Sequence, residues 1–408
     1  MDARKLTKLR TDLTSFLDDV AGTLGHPRRR WCDAYLRGVL LDGHRKSVEP
    51  MAVRLKAVEQ GDGDYEQALQ QFLNPSPWDE QDLLDGLPAW IGRRFGGEGY
   101  LIIDDTGFPK QGGHSVGVAR QYTGTLGKVA SCQVAVTLQF ATATQVVALD
   151  AQLYLPEAWT GDRNRMTKAG VPDSVGYQPK WQMALAMLRR ADANGLRGIV
   201  LADSLFGTVT EFREQLARDG RTYRVGIDST PKVIAADADL GPVPPHPGTG
   251  RPPTRPSKVR AGATSPSVKG WALDHSGDFR IVKWREGSKG RMAGRFAAWR
   301  VRPAPKLSAG KEPLSACWLL AEWPEGSEAP AKYFFSDRPP KTSLRRLVDT
   351  AKSRWWVEHS YRELKDELGL DHFEGRSWRG WNHHVVLVLM AYAFLQDVRR
   401  RLPKKVAA

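Results

Sequence analysis

The stretch SRWWVEHSYRELKDELGLDHFEGRSWRGWNHH, residues 353–384, is the part of the chain around which the other motifs are arranged. Residues 343–368 contain no Pro or Gly, so we predict one helix here, ended by Gly369. Residues three, four or seven apart share one face of a helix. On or beside this face lie a carboxylate and the polar groups around it: Arg354, Glu358, Tyr361, Arg362 and Lys365. Most charged helix faces simply meet solvent, so the pattern needs support from elsewhere in the chain.

Two apolar strands supply further carboxylates. Residues 100–103 are predicted to form a buried strand that ends in Asp104 and Asp105. Residues 199–202 predict a second strand of the same type, which ends in Asp203. A lone Asp after a strand is often a turn or cap residue. Three acids in this order, on two strands and one helix, are much harder to attribute to chance.

The order of the elements predicts an α/β fold. Strands at 129–139 and 145–155 are expected to pair antiparallel with the first one, and a helix at 179–194 precedes the second Asp-bearing strand. The helix that carries Glu358 comes last. This order fits a ribonuclease H-like sheet, in which the two aspartates lie at adjacent strand ends and Glu358 closes over them.

Composition divides the chain into three predicted regions. Residues 1–95 have helical periodicity and predict an N-terminal helical domain, which is either a DNA-binding unit or a structural cap. Residues 96–228 and 341–400 form the predicted ribonuclease H-like core. Residues 229–340 form a β-rich, basic insertion that begins with a loop dense in Pro and Gly.

The net charge of +14 is unevenly distributed. Residues 251–306 hold fourteen Lys or Arg against three acids, a net charge of +11 in this segment alone. A basic block of this size is typical of proteins that bind a polyphosphate such as nucleic acid, although a basic loop can also be only solvated.

Cysteine usage and hydropathy exclude several other classes. The three cysteines, Cys32, Cys132 and Cys317, are far apart, which argues against a disulfide framework and a zinc site and is typical of a reducing cytoplasm. No run of about 18 apolar residues occurs, so we predict no membrane partner.

The three carboxylates predict a site for a hard cation. Clustered carboxylates repel one another, and Mg²⁺ relieves this repulsion by accepting carboxylate and substrate oxygens in its octahedron. We therefore predict that Asp105, or Asp104 in its place, joins Asp203 and Glu358 as metal ligands. Two Mg²⁺ ions, for which Mn²⁺ can substitute, would activate a water or a 3′-hydroxyl and stabilise the leaving oxygen. No Ser-His-Asp or Cys-His arrangement stands out as an alternative catalyst.

Three stretches together resemble one protein family. YLIIDDTGFPKQGGHSVGVARQY, VLADSLFG and RWWVEHSYRELKDELGLDHFEGRSWRGW are similar to DDE transposases of bacterial insertion sequences, in the subgroup with a Tyr-Arg-Glu-Lys signature and a β-rich insertion before the Glu. The signature places Arg four residues before Glu and Lys seven after it, which selects Arg354, Glu358 and Lys365. The tyrosine position of the signature holds Ala351. In the family an Asp directly precedes Thr, which favours Asp105 over Asp104.

The resemblance implies cut-and-paste transposition. Such enzymes bind double-stranded DNA at terminal inverted repeats, act as dimers, cut at the element ends and join the 3′-hydroxyls to target DNA. It implies DNA-contacting roles for Arg354, Lys365, Tyr361 and Arg362, and a place at the nucleoid of a bacterial cytoplasm. Two other functions stay open: a DNA-binding protein that has lost catalysis, and a ribonuclease H-like nuclease that makes no strand transfer.

Overall fold

The structure is a computed structural model that describes residues 3–59, 63–238, 248–249, 265–287, 290–304 and 315–402. Residues 251–264, 288–289 and 305–306 of the basic segment 251–306 lie outside these ranges. The chain divides into two compact units. The first unit is Met1–Gly198 with Trp355–Ala408, and the second is Ile199–Arg354.

The secondary structure is of mixed α/β type. The helices, in chain order, are α1 Ala3–Val20, α2 His26–Leu40, α3 Val48–Glu59, α4 Tyr65–Leu73, α5 Glu80–Phe95, α6 Glu157–Thr160, α7 Arg163–Lys168, α8 Lys180–Ala193, α9 Ser204–Gly207, α10 Thr210–Arg218, α11 Val268–Asp274, α12 Leu344–Lys352, α13 Trp355–Arg362 and α14 Trp378–Arg401. The strands are β1 Glu98–Pro109, β2 Ala119–Thr123, β3 Lys128–Ala141, β4 Val146–Leu153, β5 Arg197–Ala202, β6 Tyr223–Ile227, β7 Val233–Ala235, β8 Arg280–Gly287, β9 Gly290–Pro303, β10 Cys317–Trp323 and β11 Lys332–Ser336. No helix in these described ranges is both long and apolar enough to cross a membrane.

The first 95 residues are helical where their periodicity predicts helices. The apolar pattern predicts that the second helix begins at about Trp31, yet α2 begins five residues earlier, at His26. Pro27 does not break this helix, because it occupies the first turn, where a missing N–H leaves no intrahelical hydrogen bond unmade. Asp64 and Asp79 accept backbone hydrogen bonds at the starts of α4 and α5, which satisfies donors that a helix itself leaves unpaired.

Helix α14 forms the centre of the first unit. Sixteen of its residues are buried, so it is apolar on almost every side, as a helix enclosed by protein must be. It packs against β4 and against α2, α4 and α5. Ser377 caps it by accepting a hydrogen bond from Gly380 N, so the helix begins at Trp378, seven residues before the apolar run 385–388 that predicts it.

Strand β1 is longer than predicted, and this corrects the position of the first two acids. It pairs antiparallel with β3 from Tyr100 to Pro109, so Asp104 and Asp105 lie in mid-strand, opposite Thr137 and Val136. The sequence Thr-Gly-Phe-Pro at 106–109 predicts a turn, but these residues continue the strand. Turn propensity is overridden here because the β3 ladder supplies partners along the whole length of β1.

Strand β3 pairs antiparallel with β1, as the sequence predicts, whereas β4 pairs antiparallel with β3 and not with the first strand as expected. The basic stretch that follows β1 contains Gly112, Gly113, Gly117 and Gly124, and this composition predicts a loop. It contains β2, which pairs antiparallel with β3 to form a hairpin.

The second unit begins with β5, which pairs in parallel with β6. From β6 the strands continue antiparallel in the order β11, β10, β9 and β7. Strand β8 pairs antiparallel with residues 290–296 of β9. Helix α12 covers part of this sheet, and its Leu347, Val348 and Ala351 join the buried cluster of Val282, Phe296 and Leu320. The alternating pattern of the insertion predicts a short strand at residues 271–272, and this prediction is wrong, since these residues lie in α11, which Ser267 caps.

The single helix predicted for residues 343–368 is also wrong. Helix α12 ends at Lys352, Ser353 and Arg354 form a turn, and α13 begins at Trp355. The hydroxyls of Thr350 and Ser353 donate to carbonyl oxygens four residues earlier, a bond that competes with regular helix geometry. The two helices also serve different cores, since α12 belongs to the second unit and α13 to the first.

Candidate catalytic site

Asp104 and Asp105 face opposite sides of β1, because successive side chains in a strand alternate. Asp104 is 8% exposed. Asp105 is half-buried, and its Oδ2 lies 2.5 Å from Nζ of Lys180, the first residue of α8. The Asp105 carboxylate is therefore stabilised by a direct charge-assisted hydrogen bond.

Lys180 is a functional candidate that sequence reasoning missed. A lysine in the first turn of a helix faces the positive end of the helix dipole, which is unfavourable unless another charge offsets it. Here Asp105 supplies that charge, and the ring of Tyr154 lies 5.1 Å from the Lys180 ammonium. The signal in the sequence is therefore a lysine in the first turn of the helix predicted at residues 179–194.

Asp203 lies directly after β5, as predicted. Its Oδ1 accepts a hydrogen bond from Leu205 N at 3.0 Å, so the carboxylate caps α9. Its Oδ2 lies 3.9 Å from Nη2 of Arg354. Within the second unit, the structure thus brings together two residues that the sequence had selected independently.

Glu358 is exposed on α13, and that helix is fixed to the first unit by two side chains. Ser360 donates to Oε1 of Gln139, and the hydroxyls of Tyr361 and Thr137 are 2.5 Å apart. Both partners lie on β3, and Thr137 is opposite Asp104 in the β1–β3 register. Glu358 precedes these two anchoring residues by two and three positions on the same helix, so the contacts to β3 fix the helix that carries it.

Lys365 lies in one turn of π-helix, Glu363–Glu367, that follows α13. The wider turn changes the phase of the helix, so Lys365 does not follow the 3.6-residue spacing on which the prediction of a shared face depended. Its Nζ donates to Gly107 O at 2.9 Å and to Thr125 Oγ1 at 3.0 Å. Burial lowers the pKa of Lys365.

Two arginines complete the predicted DNA-contacting set. Arg354 lies outside both helices, and Arg362 is exposed at the end of α13.

Glu363 is the nearest competing carboxylate on the same segment. Its Oε2 accepts hydrogen bonds from Tyr392 at 3.0 Å and from Gln396 at 2.9 Å, and its Oε1 pairs with Arg399. All three partners lie on α14, so Glu363 ties the π-helical turn to the central helix. This contact gives Glu363 a structural role, whereas the Glu358 side chain is exposed.

The donor chemistry fits a divalent cation, while the grouping of the donors stays a prediction. Asp105 and Glu358 lie in the first unit and Asp203 in the second. In the part of the chain that the structure describes, no three or more His, Cys, Asp or Glu side chains form a group that could hold a metal ion. Asp105 and Asp203 each direct one oxygen at a side-chain cation, from Lys180 and Arg354 respectively, so positive charge already stands at both carboxylates.

Comparison with known proteins identifies a related family. A family profile described as "DDE superfamily endonuclease" matches residues 19–291, which is more than half of the chain. A protein of Microchaete diplosiphon, described as "Probable transposase for insertion sequence element IS701", is 34% identical over 146 residues. That similarity covers 35% of this chain and 36% of the relative, so it spans only about a third of the relative's length. The matched region of the family profile contains Asp105 and Asp203 and ends before Glu358.

The contrast between Glu363 and Glu367 provides a stability test. Glu363→Ala leaves the buried Tyr392 hydroxyl and Gln396 without their acceptor, which we expect to lower the free energy of unfolding by about 2 kcal/mol. Glu367→Ala, at an exposed position of the same turn, should change it by less than about 0.5 kcal/mol. Chemical denaturation of both variants measures the difference, and equal stabilities would contradict the structural role of Glu363.

Proposed function

The chain belongs to the DDE superfamily endonuclease family, and from that premise we propose that it is a DNA transposase. It would cut double-stranded DNA at the terminal inverted repeats of a mobile element and join the free 3′-hydroxyls to target DNA. The observation that carries the proposal is the chain order of the candidate acids, Asp105, Asp203 and Glu358, within a chain that matches this family. The similarity to the probable transposase adds support.

We further propose a ribonuclease H-like core formed by residues 96–228 and 341–400. An antiparallel β1–β3–β4 arrangement and a parallel β5–β6 pair support it. In this proposal residues 1–95 form a helical domain with a role in DNA binding or assembly. Residues 229–340 form a β-rich basic insertion that adds sequence-independent affinity for phosphates.

The proposed metal site uses Asp105, Asp203 and Glu358 as ligands for Mg²⁺ or Mn²⁺. Carboxylate oxygens are the ligands that these hard cations prefer. Two such ions, when bound, activate a water or a 3′-hydroxyl and stabilise the leaving oxygen. The protein keeps the first two carboxylates oriented, through Lys180 at Asp105 and through Leu205 N–H and Arg354 at Asp203.

Arg354 is the strongest candidate for a phosphate contact. A guanidinium can bind two phosphate oxygens at once, and its distance of 3.9 Å from Asp203 puts that group beside a candidate ligand. Tyr361 and Arg362 are proposed to contact the same DNA strand from α13. Lys365 would act mainly by fixing β1, since its ammonium donates to Gly107 O.

Two DNA ends must be held together for transposition, so we propose that the chain acts as a homodimer on DNA. A nuclease without strand transfer and an inactive DNA-binding protein are the competing functions. An assay that offers target DNA to cut ends distinguishes the first from a transposase. Any cleavage that depends on a divalent cation excludes the second.

The candidate ligands can be tested by isosteric substitution. We expect Asp105→Asn, Asp203→Asn and Glu358→Gln each to reduce end cleavage by more than about a hundredfold, because each variant loses a charged metal ligand. DNA binding in a gel-shift assay should persist. Asp104→Asn is the matched control, and cleavage by Asp105→Asn together with loss of cleavage by Asp104→Asn would reverse the assignment on β1.

Removal of the Lys180 ammonium should alter metal binding directly. The ammonium and a divalent cation are attracted to the same Asp105 carboxylate, so Lys180→Met should bind Mn²⁺ about tenfold more tightly than the wild type. Lys180→Arg keeps the charge and should stay near the wild-type affinity. Electron paramagnetic resonance of free Mn²⁺ measures this without DNA or turnover, and identical affinities for all three proteins would show that Lys180 does not compete.

Arg354 can be tested with a charge-conserving variant. Arg354→Ala should lower end cleavage per folded molecule by about tenfold or more, since misplacing a phosphate by about 1 Å can cost a hundredfold in rate. Arg354→Lys should restore little, because a lysine lacks the two-pronged geometry. The control is Arg345→Ala, at an exposed position of α12. Full cleavage by Arg354→Ala would assign Arg354 to structure alone.

A further inference from the structure

The β2–β3 hairpin exposes large apolar side chains on an edge strand. Tyr122 is 64% exposed, Val129 53% and Leu126 45%. Tyr122 and Val129 are directly opposite each other in the register, so they form one apolar pair on the same face. Among the strands that the structure describes, β2 pairs with β3 and stands at the end of the strand order. An exposed apolar edge of this kind is normally covered by a binding partner.

The tip of the hairpin is a defined turn. The backbone N–H groups of Leu126 and Gly127 both donate to Thr123 O, at 3.2 Å and 2.9 Å. Gly127 has φ +64°, a conformation that glycine adopts without strain. The turn therefore presents Leu126 in a fixed position at the end of the hairpin.

The same tip is hydrogen-bonded to β1 at Gly107, two residues after Asp105. Thr125 Oγ1 donates to Gly107 O at 3.1 Å, and Lys365 bonds to both of these residues. Gly107 is packed so closely that an added Cβ would lie 1.9 Å from Thr123 Oγ1. Whatever binds the hairpin tip is thus held at a fixed position relative to the strand that carries Asp105.

The charge around the hairpin favours a polyanion as the partner. No Asp or Glu occurs from residue 106 to residue 149, although 46 acids in 408 residues would place about five in a stretch of this length. Arg120 and Lys128 are exposed on the hairpin itself, and Arg120 lies two residues before Tyr122 on the same side of β2. Apolar side chains flanked by cations suit DNA bases flanked by phosphates.

We propose that the β2–β3 hairpin is a DNA wedge, in which Tyr122, Leu126 and Val129 contact bases at the cleaved end and Arg120 and Lys128 contact the adjacent phosphates. The inference rests on the proposed function and adds to it a surface that distorts or stacks on the DNA beside the candidate catalytic strand. Inserting a side chain between stacked bases costs free energy, and this cost is smallest at a cut or frayed end, where stacking is already weakened. The hairpin therefore favours such ends over intact duplex.

Site-specific crosslinking tests what the hairpin touches. The native cysteines are all buried, so a thiol introduced by Leu126→Cys can be labelled selectively with a benzophenone maleimide. The experiment uses the full chain carrying Asp203→Asn, with a linear duplex that ends in the sequence flanking its gene. Val53→Cys, at a position 67% exposed on α3, is the matched labelling control.

We expect the label at position 126 to crosslink to DNA, close to the end of the duplex, and the label at position 53 to do so several-fold less. Crosslinking of position 126 to a second copy of the chain, to nothing, or to DNA no better than position 53 would overturn the wedge. A gel shift with the same duplex separates the two levels of inference. If unlabelled protein binds no DNA, the proposed function itself fails.

Substitution gives an independent measurement. The triple variant Tyr122→Ser, Leu126→Ser, Val129→Ser should bind a frayed duplex end at least about tenfold more weakly, whereas Tyr122→Phe, Leu126→Met, Val129→Ile should retain binding. Arg120→Ala with Lys128→Ala should reduce the log–log salt slope of binding by about 0.9 for each phosphate that the variant no longer neutralises. Unchanged affinity in the serine variant would contradict the proposal even if the protein still cleaves DNA.

Discussion

The candidate site depends on Asp105, one of two adjacent carboxylates in the middle of a largely buried strand. Residues 101–103 of β1 are fully buried, and the ladder to β3 continues past both acids. A charged group in such surroundings must find a compensating charge or hydrogen bonds, because desolvation is otherwise costly. For Asp105 that compensation comes from Lys180, at the start of a helix where a lysine would otherwise be unfavourable. The Lys180–Asp105 ion pair therefore connects the first residue of α8 to the candidate metal ligand on β1.

Polar contacts also fix the segment that follows Glu358. The Glu363 carboxylate accepts hydrogen bonds from α14, and the Lys365 ammonium donates to the backbone of β1. A π-helical turn satisfies these two contacts at once, because it shifts the side chains that follow it. Glu358 itself stays exposed on the regular part of α13. The irregular turn thus lies after the candidate ligand, and Glu358 itself keeps an ordinary helical conformation.

Strand pairing also determines what the basic stretch after Asp105 becomes. Its glycines and lack of apolar periodicity predict a loop, yet β3 is long enough to pair with β1 along one part and with β2 along another. The result is a hairpin whose tip is bonded to Gly107 by Thr125 and Lys365. Three polar contacts among Thr125, Gly107 and Lys365 thus hold a stretch whose composition predicts a loop.

The types and order of most elements follow from local sequence patterns, because hydrophobic periodicity is a local property that folding seldom reverses. The strand predicted at residues 199–202 is present within β5, and Asp203 follows it as expected. The length of β1, the break at Ser353, the hairpin and the partners of the candidate acids depend on contacts between distant parts of the chain. Lys180 and Asp105 are 75 residues apart, and Lys365 and Gly107 are 258 residues apart. No periodicity encodes such pairs, since they depend on which strands and helices pack together after local structure has formed.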